Sequence, residues 1–318
     1  MLNSDDGAYF KETISTDEII GKIISIANRE GQCEIMGSRE VTLDGVGDSR
    51  KSCKSKLLFG SKDSLNSRSD ISNSVVITNS AIETFDLKSN CCCIVDDPRS
   101  VFIDVLIWLM EKTGFDTHYS GFSDQAKVSN HAKVSDKAII EPDVEIGAGS
   151  IICAGAVIKS GTRIGSDCTI RENAVIGCDG ITVYRANSGK LQKFPHLGGV
   201  EIGNNTEVGA GTIVSGGILA PTRIGEDVIA GNICNVGHGA SIEDGVWMSV
   251  GSLVGGHTVI RTKATIAMGV TIRDNLEIGE SASLGMGSVV VKSVGAGHSV
   301  FGNPAKRMPR LNTGPQRG

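Results

Sequence analysis

A histidine set among small side chains is the first feature of this sequence that could do chemistry. It is His238, in the run Asn232-Ile233-Cys234-Asn235-Val236-Gly237-His238-Gly239. Eighteen residues later the chain reads Val254-Gly255-Gly256-His257. If the chain repeats at that interval, the Gly256 backbone stacks about one strand spacing, ~4.8 Å, from that of His238. A neutral imidazole beside an unblocked N–H has the parts needed for acyl transfer. The base takes a proton from an amine or hydroxyl, and the N–H stabilises the oxyanion. A surface histidine making an ordinary turn hydrogen bond fits the spacing of His238 equally well, and a solvated turn residue fits His257. The remaining candidates are weaker. Nine cysteines include the triplet Cys91-Cys92-Cys93 but no CxxC pair, so neither a zinc site nor a dithiol motif is expected. Cys153, Cys168 and Cys234 read as small core filler. His131 and His298 lie far from His238 and His257 along the chain, which argues against a three-histidine metal site.

What positions such residues is a repeat. From Val128 an aliphatic residue recurs every six positions to Ile176, resumes at Ile202, Val208 and Val214, and runs from Ile224 to Val290. Two residues before each the side chain is mostly small, as at Ala126, Ala156, Thr162 and Thr212. A period of six fits neither a helix nor simple alternation. It fits a parallel β-helix with three flat faces, eighteen residues to a coil. The aliphatic residue points inward, the small one sits near the corner, and glycine tolerates the turn. Two insertions break the register. The first spans 177–199, with Tyr184, Lys190, Gln192, Lys193, Pro195 and His196; the second is Gly216-Gly217-Ile218-Leu219-Ala220-Pro221. Loops leaving a regular scaffold are usual places for binding sites.

Ahead of the coil the pattern changes. Ser15 to Glu18 forms a capping box before Ile19, Ile20, Ile23 and Ile24, an amphipathic helix. Short β-like runs follow at Leu57-Leu58-Phe59 and Val75-Val76-Ile77-Thr78, and the stretch from Asp48 to Ser69 reads as loop around one strand. Asp97-Pro98 opens a second helix, Val101 to Met110. The organisation expected is a small α/β domain over 1–115, a β-helix over 116–294 carrying the inserted loop, and a polar tail over 295–318 without helical periodicity.

Composition bounds the partners. The chain has 318 residues, with 41 glycines (about twice ordinary usage), 4% aromatics and a net charge of −5, so the core must be aliphatic. No broad basic footprint is available for nucleic acid or an anionic membrane. The start of the sequence lacks the build of a signal peptide, and Val101 to Met110 is half a membrane span. An odd cysteine count then points to reduced thiols and a cytoplasmic protein.

The repeat resembles the hexapeptide acyltransferase superfamily, and more narrowly the UDP-3-O-acyl-glucosamine N-acyltransferases of lipid A biosynthesis. Lys193 to Gly203, Asn232 to His238 and Val290 to Val294 carry the likeness, more faintly joined by Leu58-Phe59 and Val95 to Arg99. The resemblance implies a left-handed coil and a homotrimer with its active site in the cleft between neighbouring coils. It also implies a nucleotide-binding N-terminal domain and no permanently bound cofactor or metal. His238 falls at the family's catalytic base, Gly256 at its oxyanion donor, and Asn232 on an asparagine of the same motif. Phe59 falls where an aromatic ring stacks on uracil. Lys193 and His196 lie in a matched segment, Asn235 replaces a glutamine near the base, and Asn275 replaces a second histidine. Departures touch the nucleotide: a tyrosine and an asparagine that hold uracil appear as Leu65 and Lys62. The C-terminal helices of that family are missing. Val300 to Lys306 resembles instead the ending of acetyl-CoA-dependent hexapeptide enzymes, with His257, Lys306 and Arg307 as candidates for coenzyme A.

The reaction expected is acyl transfer from a thioester to the amine of a nucleotide-linked amino sugar. Acetyl-CoA is the favoured donor, because outward aliphatics beyond the core occur only in short clusters such as Ile218-Leu219, too few to hold a long chain. Long-chain transfer from an acyl carrier protein is the alternative, and a non-catalytic scaffold built on the same repeat is the second alternative.

Overall fold

The computed structural model describes residues 7–29, 31–49, 53–66, 68, 70–82, 85–116 and 125–308. They form two compact units. One comprises the described residues up to 116 together with Ile181–Gly198 and Ile218–Ala220; the other takes 125–180, Gly199–Gly217 and the chain from Pro221.

The first unit is an α/β layer. In chain order its elements are β1 (Gly7–Phe10), α1 (Thr16–Ala27), β2 (Cys33–Gly37), β3 (Gly45–Gly47), β4 (Cys53–Lys54), β5 (Lys56–Phe59), α2 (Lys62–Leu65), β6 (Ile71–Ser72), β7 (Val75–Thr78), β8 (Cys91–Val95), α3 (Pro98–Lys112) and β9 (Phe115–Asp116). Seven strands make one sheet in the order β2-β8-β7-β5-β3-β1-β9. Its middle strands β8, β7, β5 and β3 run parallel. Such strands are covered on both faces and read as near-continuous apolar runs. Alternate residues go to opposite cores. Leu57, Val75, Ile77, Cys91 and Cys93 meet Ile19, Ile23, Phe102 and Leu106 of the helices. Leu58, Val76 and Cys92 meet Leu65, Ile71 and Phe85. The cysteine triplet is thus packing material, and burial pushes the Cys92 thiol up to about 12. Both expected helix starts are present: the Ser15 side chain accepts the Glu18 N–H at 3.2 Å, and that of Asp97 accepts the Ser100 N–H at 3.1 Å. Between Asp48 and Ser69 the structure has more than the one strand expected, since β4 and α2 lie there too.

The second unit is a left-handed parallel β-helix. Its faces are sheets of eight, ten and eight strands, running from Lys127–Val128 to Glu277–Ile278, from Lys133–Val134 to Lys306–Arg307, and from Ile139–Ile140 to Val289–Val290. The eighteen-residue register holds as read: Asn235 pairs Leu253, which pairs Thr271. The hexad aliphatics from Ile146 to Val290 form one buried core. The small corner residues have a second use, because their hydroxyls tie coils together. Thr212 donates to the Gly231 carbonyl at 2.7 Å and accepts the Cys234 N–H at 3.0 Å.

Two boundaries differ from the sequence reading. Sheet pairing continues past Val294, with Ser299–Phe301 stacked on Ser283–Leu284 and Lys306–Arg307 folded back against it. The tail therefore begins later than residue 295. The first insertion is also no loop of the coil. Val183–Arg185 and Leu191–Lys193 form a hairpin, and Phe194 and Leu219 are buried in the first unit's core.

Candidate active site

His238 sits at the corner where the third face passes to the first, just after strand Asn235–Val236. The turn is closed by the Ala240 N–H donating to the Gly237 carbonyl at 3.2 Å. Gly239 takes the left-handed conformation, φ +64°, and its N–H donates to the buried Thr222 hydroxyl at 2.8 Å. One coil on, the His257 N–H donates to the His238 carbonyl at 2.9 Å, so Gly256 stands directly over His238. The imidazole covers that glycine: a Cβ at position 256 would lie 2.6 Å from the ring's Cε1 and 2.7 Å from Nε2. Only glycine admits the ring there. Among the described residues the Gly256 N–H meets no acceptor, while its carbonyl accepts the Asn275 N–H at 2.9 Å. His257 closes the notch edge-on, its ring centroid 4.9 Å from that of His238.

The electrostatics suit a base. Burial disfavours the imidazolium and pulls the His238 pKa below its ordinary value; the Asp274 carboxylate opposes this and raises it. A half-buried, mainly neutral imidazole beside an open N–H can take a proton while the N–H holds an oxyanion. Among the described residues, no group of three His, Cys, Asp or Glu side chains converges for a metal ion.

The other expected site residues divide. Asn275 occupies the same corner one coil beyond His257, and Asn235 lies on the third face three residues before His238. Asn232 is not brought to His238. It lies at the preceding corner, where its Oδ1 accepts the Ala210 N–H at 2.9 Å and clamps adjacent coils. Lys306 and Arg307 are exposed on the last strand of the second face. Phe59, Lys193 and His196 belong to the first unit. There Phe59 packs against Phe102 and Phe194, with centroids 4.6 and 6.1 Å away, and Leu65 is wholly buried.

The structure brings in residues the sequence reading did not name. Asp274 stands two eighteen-residue steps beyond His238, and that arithmetic would have found it. The Asp97 carboxylate accepts the Tyr184 hydroxyl and the Asn187 N–H, each at 2.8 Å, a pairing with no sequence signal. The view that outward aliphatics are few is overturned. Leu219 is buried, whereas Ile213 and Leu253 are exposed on the third face, and Ile233, Val250, Met268 and Met286 are exposed along the corner before it.

Comparison with known proteins agrees with this architecture. LpxA from Acinetobacter baumannii superposes with a TM-score of 0.53 at 24% identity, covering 60% of this chain and 72% of that one. The UDP-N-acetylglucosamine acyltransferase from Campylobacter jejuni gives 0.50 at 20% identity, covering 58% and 72%. The fold is that of the hexapeptide-repeat acyltransferases. In sequence, the chain is 40% identical over 95 residues to the UDP-3-O-acylglucosamine N-acyltransferase of Shewanella denitrificans, a match spanning 30% of this chain and 28% of the relative. It is 42% identical over 82 residues to the enzyme of that name from Pseudoalteromonas translucida, spanning 26% and 24%. The chain thus aligns with less than a third of the curated relatives' length. No family model matches it.

Proposed function

We propose that this hexapeptide-repeat protein is an acyltransferase that moves an acyl group from a thioester to the amine of a nucleotide-linked sugar, in lipid A-type biosynthesis. The observation that carries this reading is the imidazole of His238 lying over Gly256, whose N–H is open. As the amine nitrogen bonds to the thioester carbonyl carbon, His238 takes its proton and the Gly256 N–H stabilises the oxyanion; collapse then breaks the C–S bond, and the imidazolium returns the proton to the departing thiolate, which leaves as thiol. Asn235 and Asn275 flank the acceptor as polar contacts. His257, Lys306 and Arg307 are the groups assigned to the donor. Phe59, Lys193 and His196 are assigned to the nucleotide sugar, although Leu65 offers no second ring for a base. Asn232 serves the coil rather than the chemistry.

The donor is read differently from the sequence-based expectation. The exposed aliphatic side chains along the coil remove the reason to prefer acetyl-CoA, and the named relatives act on an already acylated sugar. A long-chain acyl thioester, carried by acyl carrier protein, fits both. A homotrimer of coils is part of the same reading. The test is product formation from UDP-linked 3-O-acylated and unacylated amino sugars with each thioester. Absence of amide product under all combinations, with the coil folded, would leave the scaffold alternative standing.

A further inference from the structure

The corner that carries His238 repeats every eighteen residues, so its occupants form a column: His238, Gly256, Asp274 and Lys292. Gly256 contributes no side chain, and the His238 ring occupies the space a Cβ would have filled. The next side chain in the column is therefore the Asp274 carboxylate. Its backbone is placed by the Asn275 N–H, which donates to the Gly256 carbonyl at 2.9 Å. The carboxylate is held as well, because the Asn275 side-chain amide donates to Asp274 Oδ2 at 2.6 Å. Among the described residues Asp274 makes no ion pair, neither with Arg273 beside it nor with Lys292 one coil on. An exposed acid without an ion-pair partner among the described residues, steadied by Asn275, thus stands in the same column as the half-buried imidazole, the one group whose charge changes during the proposed reaction.

We infer that Asp274, steadied by Asn275, is a positioning residue that stabilises the positive charge His238 gains when it takes the acceptor's proton. This rests on the reading of His238 as the general base. A carboxylate in the same column as the imidazole favours the protonated ring, so the base is stronger than burial alone would leave it. The direction of the shift agrees, since Asp274 is the group that raises the His238 pKa against desolvation. Among the described residues, His257 stands edge-on to the ring from the next coil and Asp274 acts on it from the one after, with Arg273 and Lys292 the cations nearest to Asp274 in sequence and in the column.

The experiment is imidazole titration by NMR in the full chain, with His257→Asn used to assign the two rings, followed by the pH profile of kcat/KM. In Asp274→Asn the His238 midpoint should move to lower pH, the acid limb of the profile should move with it, and the plateau should drop about tenfold, as when an orienting acid is removed from a working histidine. Asn275→Ala should move both in the same direction by less, and Asp274→Glu should restore part of the loss. A His238 midpoint unchanged by Asp274→Asn would overturn the inference and leave acyl transfer untouched. A midpoint that moves in a protein that forms no amide product would uphold the pairing and sink the function reading instead.

Discussion

His238 accepts a proton only while its ring is neutral, and burial sets the pH at which that holds. Desolvation penalises the imidazolium, so the folded pKa lies below the ordinary 6.5 and the ring stays neutral to lower pH than a solvated histidine. The acid limb of kcat/KM should therefore fall below pH 6.5; a limb at or above it would contradict the burial argument. Removing the ring should leave the coil folded, since it lies at a turn outside the aliphatic core. His238→Ala should reduce turnover about 10²–10⁴-fold, the usual worth of a general base. A variant that retains more than about a third of wild-type kcat would show the assignment to be wrong. Gly256 provides a sharper probe. An added methyl would lie 2.6 Å from the imidazole, so Gly256→Ala must displace the ring while keeping the N–H. Its loss of kcat should approach that of His238→Ala, and the double variant should be little worse than either, because the two act as one unit.

At the scale of elements, the N-terminus of α3 is where one side chain carries most. Asp97, 5% exposed, caps Ser100 and accepts from Tyr184 and Asn187 of the hairpin. Asp97→Ala strands three donors and should cost about 3 kcal/mol or more in urea unfolding, against about 1 for Tyr184→Phe, which breaks a single bond. In the coil, Ile260→Ala should cost about 2–5 kcal/mol, because the wholly buried side chain has coil neighbours on both sides that cannot collapse into the space. These two cases also separate what can be read from sequence from what cannot. Ile260 and its register are visible in a six-residue period, since each hexad is a local rule repeated many times. The capping residues Ser15 and Asp97 are visible because caps act over three or four residues. The partnership of Asp97 with Tyr184 joins residues 87 apart, and nothing local announces it. His238 and Gly256 could be paired from spacing alone, yet the exclusion of a side chain at 256 needed the ring's actual position. The exposed aliphatics escape a reading of the hexads because most of them, Ile233, Val250, Met268 and Met286, stand at corners between strands, where the six-residue period sets no apolar position, and only stacked coils bring them into one row.

At the scale of the whole coil, the three faces differ in what they offer a partner. The first is lined with ion pairs, among them Lys127 to Glu145 at 3.0 Å and Arg223 to Glu201 at 2.9 Å, and is satisfied by itself. The third face and the corner before it expose Ile213, Leu253, Ile233, Val250, Met268 and Met286, with Trp247 nearby on the second face. Monomeric proteins seldom leave so many apolar side chains in one row. A homotrimer would cover part of that row, and sedimentation should show one at micromolar concentration; a stable monomer would refute it. The remainder bears on the donor. Burying a chain of fourteen carbons gains about 0.8 kcal/mol per CH₂ only where apolar side chains line its path. The row supplies such a path, and Met268 and Met286 adapt their shape readily. Transfer from a long-chain acyl carrier protein should therefore be faster than from acetyl-CoA in direct competition. Met268→Glu or Met286→Glu should slow the long-chain reaction while leaving any acetyl transfer near its wild-type rate. Substitution on the charged first face, at Arg223, provides the control and should affect neither. If acetyl-CoA is the faster donor and both glutamate variants are silent, the row serves contact between coils alone and the original preference for a short acyl group is restored.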